Sequence, residues 1–156
     1  MKTGAFDKAL SRMATLCSTS EHCESEIREK LQKAAISSAD IQRIIDKLYD
    51  DGFLNNARYC RAFSRDKLQF SHWGRIKIQQ ALHLKGLPDE DIREAITELY
   101  EEQGEEYLQI LRILLEQKTR SLSNEDDYTR HGKLIRFAAN HGFTLEEIMN
   151  TMDEMR

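Results

Sequence analysis

Residues 58–87 read RYCRAFSRDKLQFSHWGRIKIQQALHLKGL. Ile78 and Leu82 stand four apart, as residues on one face of a helix do, and Gly86 then supplies the left-handed residue that ends it before Leu87. Seven basic residues (Arg58, Arg61, Arg65, Lys67, Arg75, Lys77, Lys85) face one acid, Asp66, a local balance of +6. The whole chain carries −4, so everything outside this stretch carries −10. Tyr59, Phe63, Phe70 and Trp73 lie among the charges. Cations interleaved with aromatics suit a phosphate backbone with exposed bases. The competing reading is a helix pair with a charged outer face and its aromatics turned inward, because large apolar side chains are usually buried.

The helical pattern recurs on both sides. Moving back 51 residues, Ile78, Leu82, Leu87, Ile92, Ile96, Leu99 and Tyr100 become Ile27, Leu31, Ile36, Ile41, Ile45, Leu48 and Tyr49. Moving forward 56, Leu134, Ala138, Phe143, Ile148, Met152 and Met155 fill the same apolar slots. Caps recur too: Ser37 with Asp40, Pro88 with Asp91, Thr144 with Glu147. Gly86 and Gly142 both precede the apolar residue of the turn, and Asp51-Gly52 ends another helix.

A further helical pattern precedes each copy, at residues 6–17, 55–70 and 105–119. With one proline, no alternating β pattern and a preponderance of helix formers, the chain reads as all-α. Three tandem three-helix repeats are expected over 1–53, 54–104 and 105–156, stacked into an elongated, curved body. A polar insert near 119–129 is expected to be a mobile loop.

Other chemistries find little support. Cys17, His22, Cys23 and Cys60 are ligand types, but no CxxC or HxxxH spacing joins them. Three scattered cysteines fit a reducing compartment better than a disulfide framework. The five histidines belong to no nucleophile–base motif, and no glycine-rich phosphate loop is present. The run Glu101-Glu102-Gln103-Gly104-Glu105-Glu106 reads as a solvated joint between helices. No apolar run approaches the roughly 20 residues of a membrane helix, and the first ten residues show no secretion signal. The expectation is a cytoplasmic monomer with no enzyme activity, no cofactor and no metal.

Arg75 and Lys77 fall in the first turn of a helix, where the dipole serves cations poorly. A bound phosphate would favour them there, as would acids of a neighbouring helix. A second, weaker basic group comprises Lys118, Arg120, Arg130, Lys133 and Arg136.

These residues also carry a likeness. Asp50-Asp51-Gly52-Phe53-Leu54-Asn55-Asn56-Ala57-Arg58-Tyr59 precedes the basic helix, followed by Trp73-Gly74-Arg75-Ile76 and Ala81-Leu82-x-x-Lys85-Gly86-Leu87. With Glu26-Ile27-x-x-Lys30-Leu31 upstream, this resembles the RecX family of bacterial recombinase regulators across nearly the whole chain. It departs in having Asn55-Asn56 where an Asp-Asp pair is usual, and Cys23 where a capping Ser is usual. The resemblance implies a non-enzymatic inhibitor of RecA that lies in the groove of the RecA–DNA filament and suppresses ATP hydrolysis and strand exchange in recombination and DNA repair. The residues expected to face DNA or filament are Arg58, Arg61, Arg65, Lys67, Trp73, Arg75, Lys77 and Lys85, with the second basic group in support. The expected partners are the RecA filament and single-stranded DNA, double-stranded DNA being open. Two alternatives stand beside this: a helix-turn-helix DNA reader, which would dimerise on two half-sites, and a helical scaffold that meets only protein.

Overall fold

The computed structural model describes residues 2–156, with side chains from residue 4 onward, and every regular element is a helix. They are α1 (Lys2–Thr19), α2 (Glu24–Lys33), α3 (Ser38–Asp50), α4 (Asn56–Ser71), α5 (Arg75–Leu84), α6 (Asp89–Ser121), α7 (Asp127–Asn140) and α8 (Leu145–Glu154).

Side-chain caps start α3, α4, α7 and α8. Ser37 accepts from the Asp40 N–H at 3.3 Å, Asn55 from Arg58 at 2.9 Å and Asp126 from Thr129 at 2.7 Å. Thr144 and Glu147 close a reciprocal box at 3.1 and 2.8 Å. At α2 the glutamate half of such a box survives, with Glu26 accepting from the Cys23 N–H at 3.2 Å. Gly86 and Gly142 end α5 and α7 with φ of +84° and +98°; Ala35 holds the same position after α2 at +60°.

Three repeats of three helices are counted as eight here because two of them abut across a kink and are numbered together as α6. It closes the second repeat and opens the third, bending at Gln103 (φ −126°, ψ 24°). The acidic run is the expected joint between helices, closed to a kink at Gln103 with no loop. The polar insert is also shorter than expected. α6 continues to Ser121 and α7 begins at Asp127. Between them Leu122 is buried, and Arg130 gathers the carbonyls of Leu122, Ser123 and Glu125 at 3.2, 3.4 and 2.5 Å.

The apolar faces build two cores. Ile27, Leu31, Ile41, Ile44, Ile45 and Leu48 of the first repeat pack with Ala9 and Met13 of α1. Leu68, Ile78, Leu82, Ile96, Leu111, Leu115, Leu134 and Ile148 belong to a second core that spans repeats 2 and 3. Each such Leu or Ile contributes roughly 1.5–3 kcal/mol by leaving water. Repeats 2 and 3 share a core, to which both arms of α6 contribute.

Candidate nucleic-acid interface

The turn from α4 to α5 positions the site. His72 takes a left-handed conformation (φ 55°) that ends α4, and Trp73 follows. Gly74 then crosses the α7–α8 turn. Its N–H donates to the His141 carbonyl at 2.7 Å, and the Ile76 N–H to that of Gly142 at 2.9 Å. A Cβ on Gly74 would lie 2.5 Å from the Gly142 and Phe143 backbone, so only glycine fits the crossing. The His141 ring nitrogen Nδ1 lies 3.0 Å from the His72 carbonyl across the same seam.

The lysines beside this turn rest on aromatic rings. Lys67 of α4 and Lys77 of α5 each place Nζ 4.8 Å from the Trp73 ring centre. Lys67 also lies 5.5 Å from Phe63, and Lys85 5.9 Å from Phe63. Phe63 meets Trp73 edge-on at 6.3 Å, and Tyr59 stacks on Phe63 at 5.8 Å. These spacings are those of cation–π contacts. Among the described residues, Lys67, Lys77 and Lys85 make no salt bridge; Lys85 comes near enough to Glu26 to help hold its carboxyl down.

The arginines of the same strip are engaged. Arg58 Nε bonds Glu21 Oε2 at 2.5 Å, and its Nη2 donates to the Gly52 and Phe53 carbonyls at 3.0 and 3.3 Å. Arg61 faces Glu98 at 3.8 Å and Arg65 faces Glu102 at 3.7 Å, both on the α4–α6 surface. Arg75 faces Glu147 at 3.7 Å and lies over Tyr100. Glu147 is a hub: it accepts from Tyr107 at 3.0 Å, from the Thr144 N–H at 2.8 Å and from Tyr100. The α5 start is likewise served, since the Tyr107 hydroxyl accepts from the Arg75 N–H at 3.1 Å. Of the two partners expected for Arg75, the structure supplies the acid of a neighbouring helix, Glu147. Arg58 holds repeat 1 to repeat 2. The looser, half-exposed pairs of Arg61 and Arg65 are of the surface kind, worth about 0–1 kcal/mol each.

The second basic group divides in the same way. Lys133 pairs with Glu125 at 2.5 Å, and Arg130 adds Asp127 at 2.8 Å to its three carbonyls. Lys118 lies 5.0 Å from the Phe137 ring, which tilts on His141 at 4.8 Å. Arg120 and Arg136 are exposed. Phe70, one of the interleaved aromatics, is 80 % exposed and stands outside the ring cluster. Phe63 and Phe137, absent from the residues expected to bind, are seats for lysines. Their only sequence signal was an aromatic placed near basic residues.

All three cysteines are buried, and burial pushes the Cys60 thiol up to about 12, leaving it protonated and unreactive. Among the described residues no three metal-ligating side chains converge, and no helix is long and apolar enough to cross a membrane. The acidic run lines a cavity of about 940 Å³ between α6 and α8, with Tyr100 and Leu108 among seven glutamates. The helices that follow Gly86 and Gly142, which a helix-turn-helix reader would put in a groove, open with acids: Asp89, Glu90 and Asp91 in α6, Glu146 and Glu147 in α8.

Comparisons with known proteins agree with the repeat structure. Residues 9–48, 55–96 and 105–152 match the first, second and third three-helix domains of RecX. The regulatory protein RecX of Prosthecochloris aestuarii is 29 % identical over 148 residues, covering 95 % of this chain and 93 % of that one. The regulatory protein RecX of Chlorobaculum tepidum is 28 % identical over 152 residues, covering 97 % and 91 %. The crystal structure of RecX from Lactobacillus salivarius shares the fold with a TM-score of 0.83 at 20 % identity, covering 97 % of each chain. A second crystal structure, of a regulatory protein RecX, does so at 0.85 and 24 % identity, covering 95 % of this chain and 73 % of that one.

Proposed function

The chain belongs to the RecX family, and on that premise we propose that it is a negative regulator of the RecA recombinase. It acts in the cytoplasm, as a monomer and without catalysis of its own. It binds the RecA–DNA filament and lowers its ATP hydrolysis and strand exchange. The observation that carries this reading is the Lys67 and Lys77 pair seated on Trp73, with no carboxylate at salt-bridge distance among the described residues. A cation left unpaired on a protein of net −4 is available to a polyanion. The acidic faces, including the cleft between α6 and α8, meet the protein part of the filament. The regulator acts by differential affinity: preferring one filament state, it shifts the population towards that state.

The test is RecA ATPase on single-stranded DNA, titrated with this protein at two ionic strengths. Inhibition that weakens steeply as salt rises is expected, because phosphate contacts release counterions. ATP hydrolysis unaffected at both salts would contradict the reading.

A further inference from the structure

We propose, resting on the nucleic-acid reading above, that Trp73 is a positioning residue: it holds the Lys67 and Lys77 ammonium groups for the phosphodiester backbone and does not itself stack on a base. An indole near cations invites the opposite reading, since exposed aromatics in such sites commonly stack on bases. The geometry opposes it. Both ammonium groups lie over the Trp73 ring at 4.8 Å, where a stacked base would have to sit. The edge of Phe63 and the core shared by repeats 2 and 3 take up the ring's other surroundings. A base would have to displace two cations that the ring attracts.

What remains open to a ligand is the ammonium groups. Each has three donors, and neither lysine meets a carboxylate among the described residues. Their seats lie on the rigid side of the molecule: Trp73 precedes the Gly74 crossing, and the Lys77 Cβ lies against Gly142. A lysine normally gives up much rotamer freedom on binding. Here part of that cost is met before the ligand arrives, which is what preorganisation means. Lys118 on Phe137 repeats the device in the third repeat. The ligand chemistry is therefore phosphodiester, read as charge and spacing and not as base identity.

The experiment compares two labelled strands of equal length, about 15 nucleotides, one of thymidylate and one wholly abasic. Binding is followed by anisotropy over a salt series, and by the emission of Trp73, the one tryptophan in the chain. We expect the abasic strand to bind within about threefold of thymidylate, because no stacked base, worth roughly five- to 150-fold each, is lost. Trp73 emission should respond alike to both strands. Trp73→Leu should weaken both about tenfold while leaving the salt slope unchanged, since the charges remain, and Trp73→Phe should recover most of the loss. K67Q/K77Q should instead reduce the salt slope by about 1.4, at about 0.7 per phosphate contact. If Trp73→Leu unfolds by circular dichroism, Trp73→Phe and the two strands on the unmodified protein still decide. Thymidylate bound more than about 30-fold tighter than the abasic strand, with quenching by thymidylate alone, would overturn the positioning role and leave nucleic-acid binding intact. Failure of both strands to bind would overturn both.

Discussion

At the joint between repeats 2 and 3, Gly74 lies against Gly142, and two backbone hydrogen bonds cross the seam. Fifty-one residues earlier, Cys23 stands in the place of Gly74, and Gly86 is the counterpart of Gly142. There no backbone bonds cross, and a Cβ on Gly86 would meet nothing within 4 Å. Side chains hold that joint. Cys23 is buried in the core of its neighbours, Arg58 grips Glu21, and Tyr49 donates to Asn56 at 3.0 Å. One missing side chain lets two backbones touch and fuses repeats 2 and 3. One thiol in its place leaves repeat 1 hung on polar contacts and a separate core. The lysine cluster sits on the fused side, where its geometry is held.

The comparison breaks most readily at Gly74. Gly74→Ala should cost at least about 3 kcal/mol in urea unfolding, because its Cβ strikes backbone, which cannot swing aside. A near-neutral result would mean that the crossing is looser than drawn. Arg58→Ala acts on the other joint. It should cost about 1 kcal/mol, since the ion pair is partly exposed. Hydrogen exchange should rise at the joint and in α1–α3 while α4–α8 keep their protection. Equal loosening throughout would argue that the repeats unfold as one.

Ala35 sharpens the comparison by repairing a weakness of repeat 1. It occupies at φ 60° the slot that glycine fills in the other two repeats. Ala35→Gly should stabilise the protein by about 1 kcal/mol, seen as a later urea midpoint. The smallest effect is set by pH. Burial alone would raise the Glu26 carboxyl, but hydrogen bonding to Cys23 and Tyr59 and the nearby Lys85 hold it below its ordinary value of 4.5. A carboxyl depressed on folding stabilises the protein fully above that value, and the contribution fades as pH falls through the lowered one. Exchange in α2 should therefore quicken below about pH 4.5 before that in α5 does, and Glu26→Gln should remove the difference.

Much of the fold was legible because burial writes itself as spacing. Ile27, Leu31, Ile45 and Leu48 and their two sets of counterparts follow one pattern, and the caps and turn glycines punctuate it. That two helices would abut end to end across Gln103, with no loop between them, was not legible. Gln103-Gly104 reads as a break, and the backbone does leave helical geometry at Gln103, with Leu99 buried on one side and Tyr107 on the other. Nor was the role of Gly74, whose φ of −81° needs no glycine; its need arises from a neighbour some seventy residues away. The basic strip was legible as charge but not as a division of labour. Arginine and lysine count alike in a sequence, and the carboxylates that claim the arginines (Glu21, Glu98, Glu102 and Glu147) lie on other elements. Within the strip each arginine meets a carboxylate, Arg75 a ring as well, whereas the three lysines meet rings.

That division is tested most directly by the salt dependence of single-stranded DNA binding in two variants of equal charge change, K67Q/K77Q and R61Q/R65Q. The account predicts a slope reduced by about 1.4 in the lysine variant and nearly unchanged in the arginine variant. The reverse pattern, or equal losses in both, would contradict it.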